Sequence, residues 1–150
     1  MSISPLPPNY LERARVARLL VRVRNCFLDD VNRELATFDL SSAHYAVISM
    51  LALGQARSAA GICKEISYDP GAMTRIIDRL EQRQLLRRIP SREDRRKQEL
   101  ELTDRGREFY PEVQARSTMV LERLMATFTQ AELSTLEELL GRMAANMERG

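Results

Sequence analysis

Tryptophan is missing from the 150 residues, histidine occurs once (His44), cysteine twice (Cys26 and Cys63) and lysine twice. Each scarcity removes a class of function. One histidine and two widely separated cysteines suggest neither a Cys/His metal site nor a disulfide framework. A reduced, cytoplasmic setting is the simplest reading of such cysteine use. No glycine-rich phosphate loop, HExxH or GxSxG is present, so the chain is expected not to be an enzyme and to need no cofactor or metal. No stretch approaches the ~20 apolar residues of a membrane span. The opening "MSISPLPPNY" lacks a cationic segment followed by an apolar run, so neither a membrane location nor export is expected. Six glycines and six prolines are too few for a linker or a disordered chain. A chain of this length can bury a real core, and one domain is expected.

What is present is arginine, unevenly placed. From Arg75 to Lys97 nine basic residues face four acidic ones, a local balance of +5, whereas Tyr110 to Gly150 holds four basic and six acidic. The net charge of +2 hides this asymmetry. Dense arginine on one stretch is the electrostatic footprint of a nucleic-acid contact, although a solvated charged face would read the same way. The cations number 21 Arg to two Lys, and a guanidinium enters the minor groove more cheaply than a strongly hydrated ammonium. GC-rich codons would produce the same excess.

Hydrophobic spacing divides the chain. After Asn9, a plausible N-cap, the sequence runs without Gly or Pro to about Ala36, which predicts a long helix. Ala14, Ala17, Val21, Leu28, Val31 and Leu35 form one apolar stripe, and Val16, Leu20, Val23 and Phe27 a second. A helix apolar on that much of its circumference needs two partners, which predicts a dimer seam. Ser41 caps "SSAHYAVISMLAL", Gly54 ends it, and Ser58 caps "SAAGICKEI". Asp69 and Pro70 suit the N-cap and first position of a further helix. Its Met73, Ile76, Ile77 and Leu80 turn inward, leaving Thr74, Arg75, Asp78 and Arg79 outward. Between Leu85 and Thr103 the period changes from 3.6 to 2. "LLRRIP" and "KQELELT" are then the strands of a hairpin whose turn is "SREDR", with Gln98, Leu100 and Leu102 on its inner side. Thr103 caps a helix to about Phe128 that contains Pro111, and "TQAE" at 129–132 opens the last helix with a capping box.

The expected architecture is mainly α (α+β). A winged helix-turn-helix DNA-binding lobe at 40–103 carries a two-stranded wing, and residues 9–36 and 104–150 form helical dimerisation arms. The major groove accepts a helix, and small Gly71 and Ala72 beside Pro70 permit close approach. Thr74 and Arg75 are placed for base edges, Arg79 and Ser58 for phosphate, and the wing arginines for the adjacent minor groove.

These residues resemble a family. Asp94, Arg96, Leu102, Thr103 and Gly106 match the DxRxxxxxLTxxG pattern of the MarR (multiple antibiotic resistance regulator) transcription factors. "MTRIIDRLE" is similar to their recognition helix and "DLSSAHYAVISML" to their second helix. The resemblance implies a homodimeric regulator, most simply a repressor of a pseudo-palindromic operator. It makes Asp94 and Arg96 the brace of the wing, by an aspartate–arginine pairing, and Arg92 and Arg95 its tip; a plain turn-forming role for Asp94 is the alternative. Gln84 departs from the pattern, standing where a glycine is usual, and a positive φ there would cost roughly 1 kcal/mol.

The resemblance also implies release of DNA by a small phenolic or other anionic aromatic effector bound between the dimer helices and the lobe. Arg15, Arg18, Arg22, His44, Tyr45 and Tyr68 are the candidates for that pocket. Against this stand a solvated arginine face, a core Tyr45 and a structural His44. The missing tryptophan speaks against the urate-reading subgroup. Cysteine-oxidation sensing is a further alternative, but both cysteines are expected amid apolar neighbours, unlike a reactive thiolate. The competing class of function is a winged-helix dimer that docks an acidic protein.

Overall fold

The computed structural model describes residues 7–91, 94 and 96–149. Helix α1 (Tyr10–Leu35) passes through a 3-10 turn (Ala36–Phe38) into α2 (Ser42–Ala52), α3 (Ala59–Ile66) and α4 (Pro70–Gln82). Strands β1 (Leu86–Pro90) and β2 (Gln98–Leu102) form an antiparallel hairpin, followed by α5 (Asp104–Met125) and α6 (Gln130–Glu148).

The boundaries follow from local chemistry. Ser41, Ser58, Asp69, Thr103 and Thr129 each occupy an extended N-cap and accept a backbone N–H from the first turn with their side chains. Asn9 does not. It precedes α1 with φ 61° and makes no side-chain cap, so the helix starts where expected without the expected hydrogen bond. Gly54, at φ 67°, ends α2; Gln55 N–H reaches Met50 O at 2.9 Å and Gly54 N–H reaches Leu51 O at 3.3 Å, a Schellman closure. Helix α5 ends at Met125, three residues before the expected limit, and Pro111 lies inside it.

One contiguous core joins the lobe to the roots of the long helices. Ile48, Ile62, Met73, Ile77, Leu80 and Leu86 are buried together with Val31 and Leu35 of α1 and Val113 and Val120 of α5. Arg123 of α5 reaches Glu34 at 3.2 Å and Asp30 at 3.8 Å, tying α5 to α1. In the hairpin Leu86 opposes Leu102 and Arg88 opposes Leu100. Leu100 and Leu102 are buried, while Gln98, expected on the same side, is exposed because it lies beyond the lobe at the far end of the strand.

The upper part of α1 and all of α6 bury nothing. Of the two α1 stripes, Val31 and Leu35 are buried and Phe27 packs on the core, but Val16, Leu20, Val21 and Val23 stay exposed. Leu139, Leu140, Met143 and Met147 are exposed on α6, as are Met119, Leu121 and Leu124 on α5.

Candidate nucleic-acid interface

Helix α4 is held by its inward Met73, Ile77 and Leu80, and this leaves its opening turns facing solvent. Asp69 Oδ1 accepts Ala72 N–H at 2.7 Å, fixing the first turn. Pro70 and Gly71 are exposed and Ala72 half-buried. Thr74 Oγ1 donates to Pro70 O at 3.1 Å, which orients its methyl and leaves its lone pairs free to accept. Arg75 is exposed, with no ion pair or side-chain hydrogen bond among the described residues. Ser58, half-buried, accepts Gly61 N–H at 3.1 Å and so caps α3.

The other cations of the basic middle are largely occupied within the chain. Arg79 pairs with Asp39, whose φ of 55° in the corner after the 3-10 turn points it toward α4. Arg83 donates to Phe38 O at 3.0 Å and Asp39 O at 3.3 Å, and lies 6.0 Å from the centre of the Phe109 ring. Arg87 meets Glu101 across the hairpin at 2.6 Å. Arg88 bonds both Asp78 and Glu81 of α4. The Asp78 hydrogen bond, reinforced by Glu81 and opposed by burial, holds the Arg88 guanidinium above its ordinary pKa. The local charge of +5 is therefore spread less freely than composition indicates.

In the wing, Asp94 Oδ1 accepts the backbone N–H of Arg96 at 3.0 Å, and Asp94 O accepts Lys97 N–H at 2.8 Å. Among the described residues the expected Asp94–Arg96 side-chain brace is replaced by this local turn, because a carboxylate two residues upstream reaches an amide at no entropic cost in the long arginine side chain. Arg92 and Arg95 lie outside the described residues.

The junction between α4 and the wing contains Gln84 at φ 58°. Gln84 N–H bonds Glu81 O at 2.8 Å, Leu85 N–H bonds Leu80 O at 3.0 Å, and Gln84 O accepts Thr103 Oγ1–H at 2.6 Å. The positive φ that a glycine would take is thus imposed on a glutamine.

A cavity of about 280 Å³ lies between α1 and α2 and is mostly apolar. Tyr45 and Tyr68 line it together, with Phe27, Met50, Ser42 and Arg24. Arg24 is not among the residues expected from the sequence. Arg18 and Arg22 instead border a shallow groove with Asn25, Cys26 and Asp29, and Arg15 lines neither. Arg22 and Arg24 are two residues apart and so point about 200° apart around α1, and only the three-dimensional placement of α2 tells which of them meets the cavity.

His44 also stands elsewhere, beside Asp39, Arg79 and Asn32. It is 7% exposed, and its Nδ1 accepts Ser41 N–H at 3.1 Å and lies 2.7 Å from Ser41 Oγ. This is a structural cap. Burial, followed by Arg79 and Arg83, pushes its pKa below the ordinary value, with Asp39 opposing. Cys26 is exposed, contrary to expectation. Cys63 is buried, and burial then Asp69 raise its pKa.

A helix-turn-helix whose exposed second helix carries Arg75, unpartnered among the described residues, followed by a two-stranded wing, is the arrangement of a winged-helix DNA-binding protein. A sequence model of the MarR family matches residues 38–97. The repressor MdtR of Bacillus subtilis is 31% identical over 97 residues, covering 59% of this chain and 63% of its own. A crystal structure of a mutant MarR from E. coli complexed with operator DNA superposes with a TM-score of 0.74 at 25% identity, covering 91% of this chain and 99% of that one. CouR of Rhodococcus jostii RHA1, bound to p-coumaroyl-CoA, gives a TM-score of 0.77 at 27% identity, covering 86% and 91%. In sequence and in fold the chain is similar to the transcription regulators of the MarR family.

Proposed function

We propose that two copies of the chain bind a pseudo-palindromic operator as a repressor and release it when a small anionic aromatic ligand enters the cavity lined by Arg24, Tyr45 and Tyr68. The observation that carries the DNA reading is the opening of α4, where Pro70, Gly71, Thr74 and Arg75 face outward and Arg75 has no internal partner among the described residues. A protein-docking helix would present aromatic or aliphatic anchors at such positions. Ser58, at the start of α3, is assigned to phosphate, and Arg79 joins it if DNA draws it from Asp39. Arg92, Arg95 and Arg96 are assigned to the wing's minor-groove contact, with Asp94 shaping the turn.

The unpartnered apolar faces of α1, α5 and α6 support pairing with a second copy, which divides the chain into a lobe at 40–103 and dimerisation arms at 9–36 and 104–150. Such a dimer sets two α4 helices ~34 Å apart, hence half-sites ~10 bp apart. The apolar cavity with one cation at its edge supports the ligand class, as does the p-coumaroyl-CoA held by CouR. Repression is supported by the repressor MdtR.

Selection from random duplex DNA tests the reading. A two-fold-symmetric motif is expected, and unpatterned DNA would point instead to an acidic protein partner. Arg75→Ala is expected to cost about 1–3 kcal/mol on the selected site and to relax preference at one position. Equal loss on specific and random DNA would make Arg75 a phosphate contact.

A further inference from the structure

In the sequence Arg88 is one of nine cations of the basic middle, yet in the fold it faces the protein. Its side chain, 27% exposed, reaches from β1 to two carboxylates one turn apart on α4, Asp78 and Glu81. Its backbone N–H donates to the same Glu81 at 3.2 Å. Arg88 is the β1 residue opposite Leu100, the middle of the hairpin, and Leu100 N–H is held by Arg57 O at 2.7 Å from the α2–α3 connection. The hairpin is therefore gripped on one side by α4 and on the other by the segment leading into α3. Thr74 and Arg75 lie on the same helix as the two carboxylates, in the turns just before Asp78.

We propose that Arg88 is a positioning residue for DNA binding, a two-carboxylate latch that sets the angle between the recognition helix and the wing and so lets α4 and the wing reach neighbouring grooves at once. The inference rests on the DNA reading above. Planar guanidinium with two bond directions fixes an orientation, where a single ammonium contact would allow pivoting. Because Arg88 is engaged by both acids, it touches no DNA itself. Its removal leaves Thr74 and Arg75 in place on α4 but frees the hairpin to swing.

The test compares wild type, Arg88→Met, Arg88→Lys and Glu81→Gln on the motif selected by wild type, placed between AT-rich or GC-rich flanks, with thermal melting as a check on folding. Arg88→Met should bind the AT-flanked site about tenfold more weakly while keeping its base preferences at the positions read by α4. Its preference for AT-rich over GC-rich flanks should fall toward one. Arg88→Lys and Glu81→Gln, each retaining one Asp78 contact, should lie between. Should Arg88→Met fail to fold, Glu81→Gln provides the same comparison. An unchanged flank preference in a folded Arg88 variant overturns the latch, as does equal loss of flank and central preferences. If wild type selects no motif, the DNA reading fails and the latch falls with it, a result distinct from a motif whose flank preference survives loss of Arg88.

Discussion

Gln84 has a backbone that suits glycine, with φ 58°, and the two hydrogen bonds that close α4 depend on it. An L-residue there is strained by roughly 1 kcal/mol. Gln84→Gly is therefore expected to raise stability by up to about 1 kcal/mol, less what the freer unfolded chain gives back, measured by urea unfolding. His44 makes a second residue-scale prediction. Its folded pKa is lowered, so as pH falls through the unfolded value of about 6.5 the unfolded chain takes up a proton that the folded chain resists. The stability is fully present above that value and is lost as pH drops toward the lower folded pKa. A melting temperature that falls with acidification is expected, and His44→Gln, which keeps a capping side chain, should flatten that part of the slope. At this scale the sequence is readable where a role is local. Ser41, Ser58, Asp69, Thr103 and Thr129 announce their caps within three residues. Arg24 and Arg22 cannot be told apart in it, because the distinction depends on where α2 lies, and the Asp39–Arg79 pair joins positions 40 residues apart with no pattern to mark it.

Among the elements, the joint where β2 hands over to α5 is the tightest. A Cβ on Gly106 would stand 1.9 Å from Leu85 O and 3.4 Å from Leu102 Cβ, so glycine is required there by close approach of backbone. Gly106→Ala is expected to destabilise by about 1–3 kcal/mol through overpacking, read by denaturant midpoint, whereas Gly141→Ala on exposed α6, with nothing within 4 Å, should not. The family pattern places a glycine at 106, but its reason becomes visible only with Leu85 folded over it. Element type is legible throughout, since long 3.6-residue stripes and the switch to alternation at Leu85 leave few choices. Ends are legible where caps exist. The early stop of α5 at Met125 is not, because no glycine or proline marks it.

For the whole molecule, the unpaired apolar surface of α1, α5 and α6 sets an expectation about mass. Sedimentation should give twice the chain mass, and Leu20→Glu with Leu140→Glu should shift the protein toward monomer and abolish cooperative binding to a two-half-site duplex. Leu20 and Leu140 are 37% and 40% exposed in the single chain, so the substitutions disturb pairing more than the core. Salt dependence is the second molecular readout. If all nine cations from Arg75 to Lys97 met phosphates, each protomer would give a slope of about −8 in log affinity against log salt. With Arg83, Arg87 and Arg88 held internally, a distinctly shallower slope is expected.

That internal pairing has a bearing on time as well as on strength. Affinity for arbitrary DNA comes almost wholly from phosphate neutralisation, and arginines already satisfied by Asp78, Glu81 and Glu101 contribute little to it. On the DNA reading proposed above, a regulator built this way is expected to leave wrong sequence quickly, so that a few copies could survey a chromosome without being absorbed by it, with occupancy of the right site resting on the side chains assigned to base contact at the start of α4.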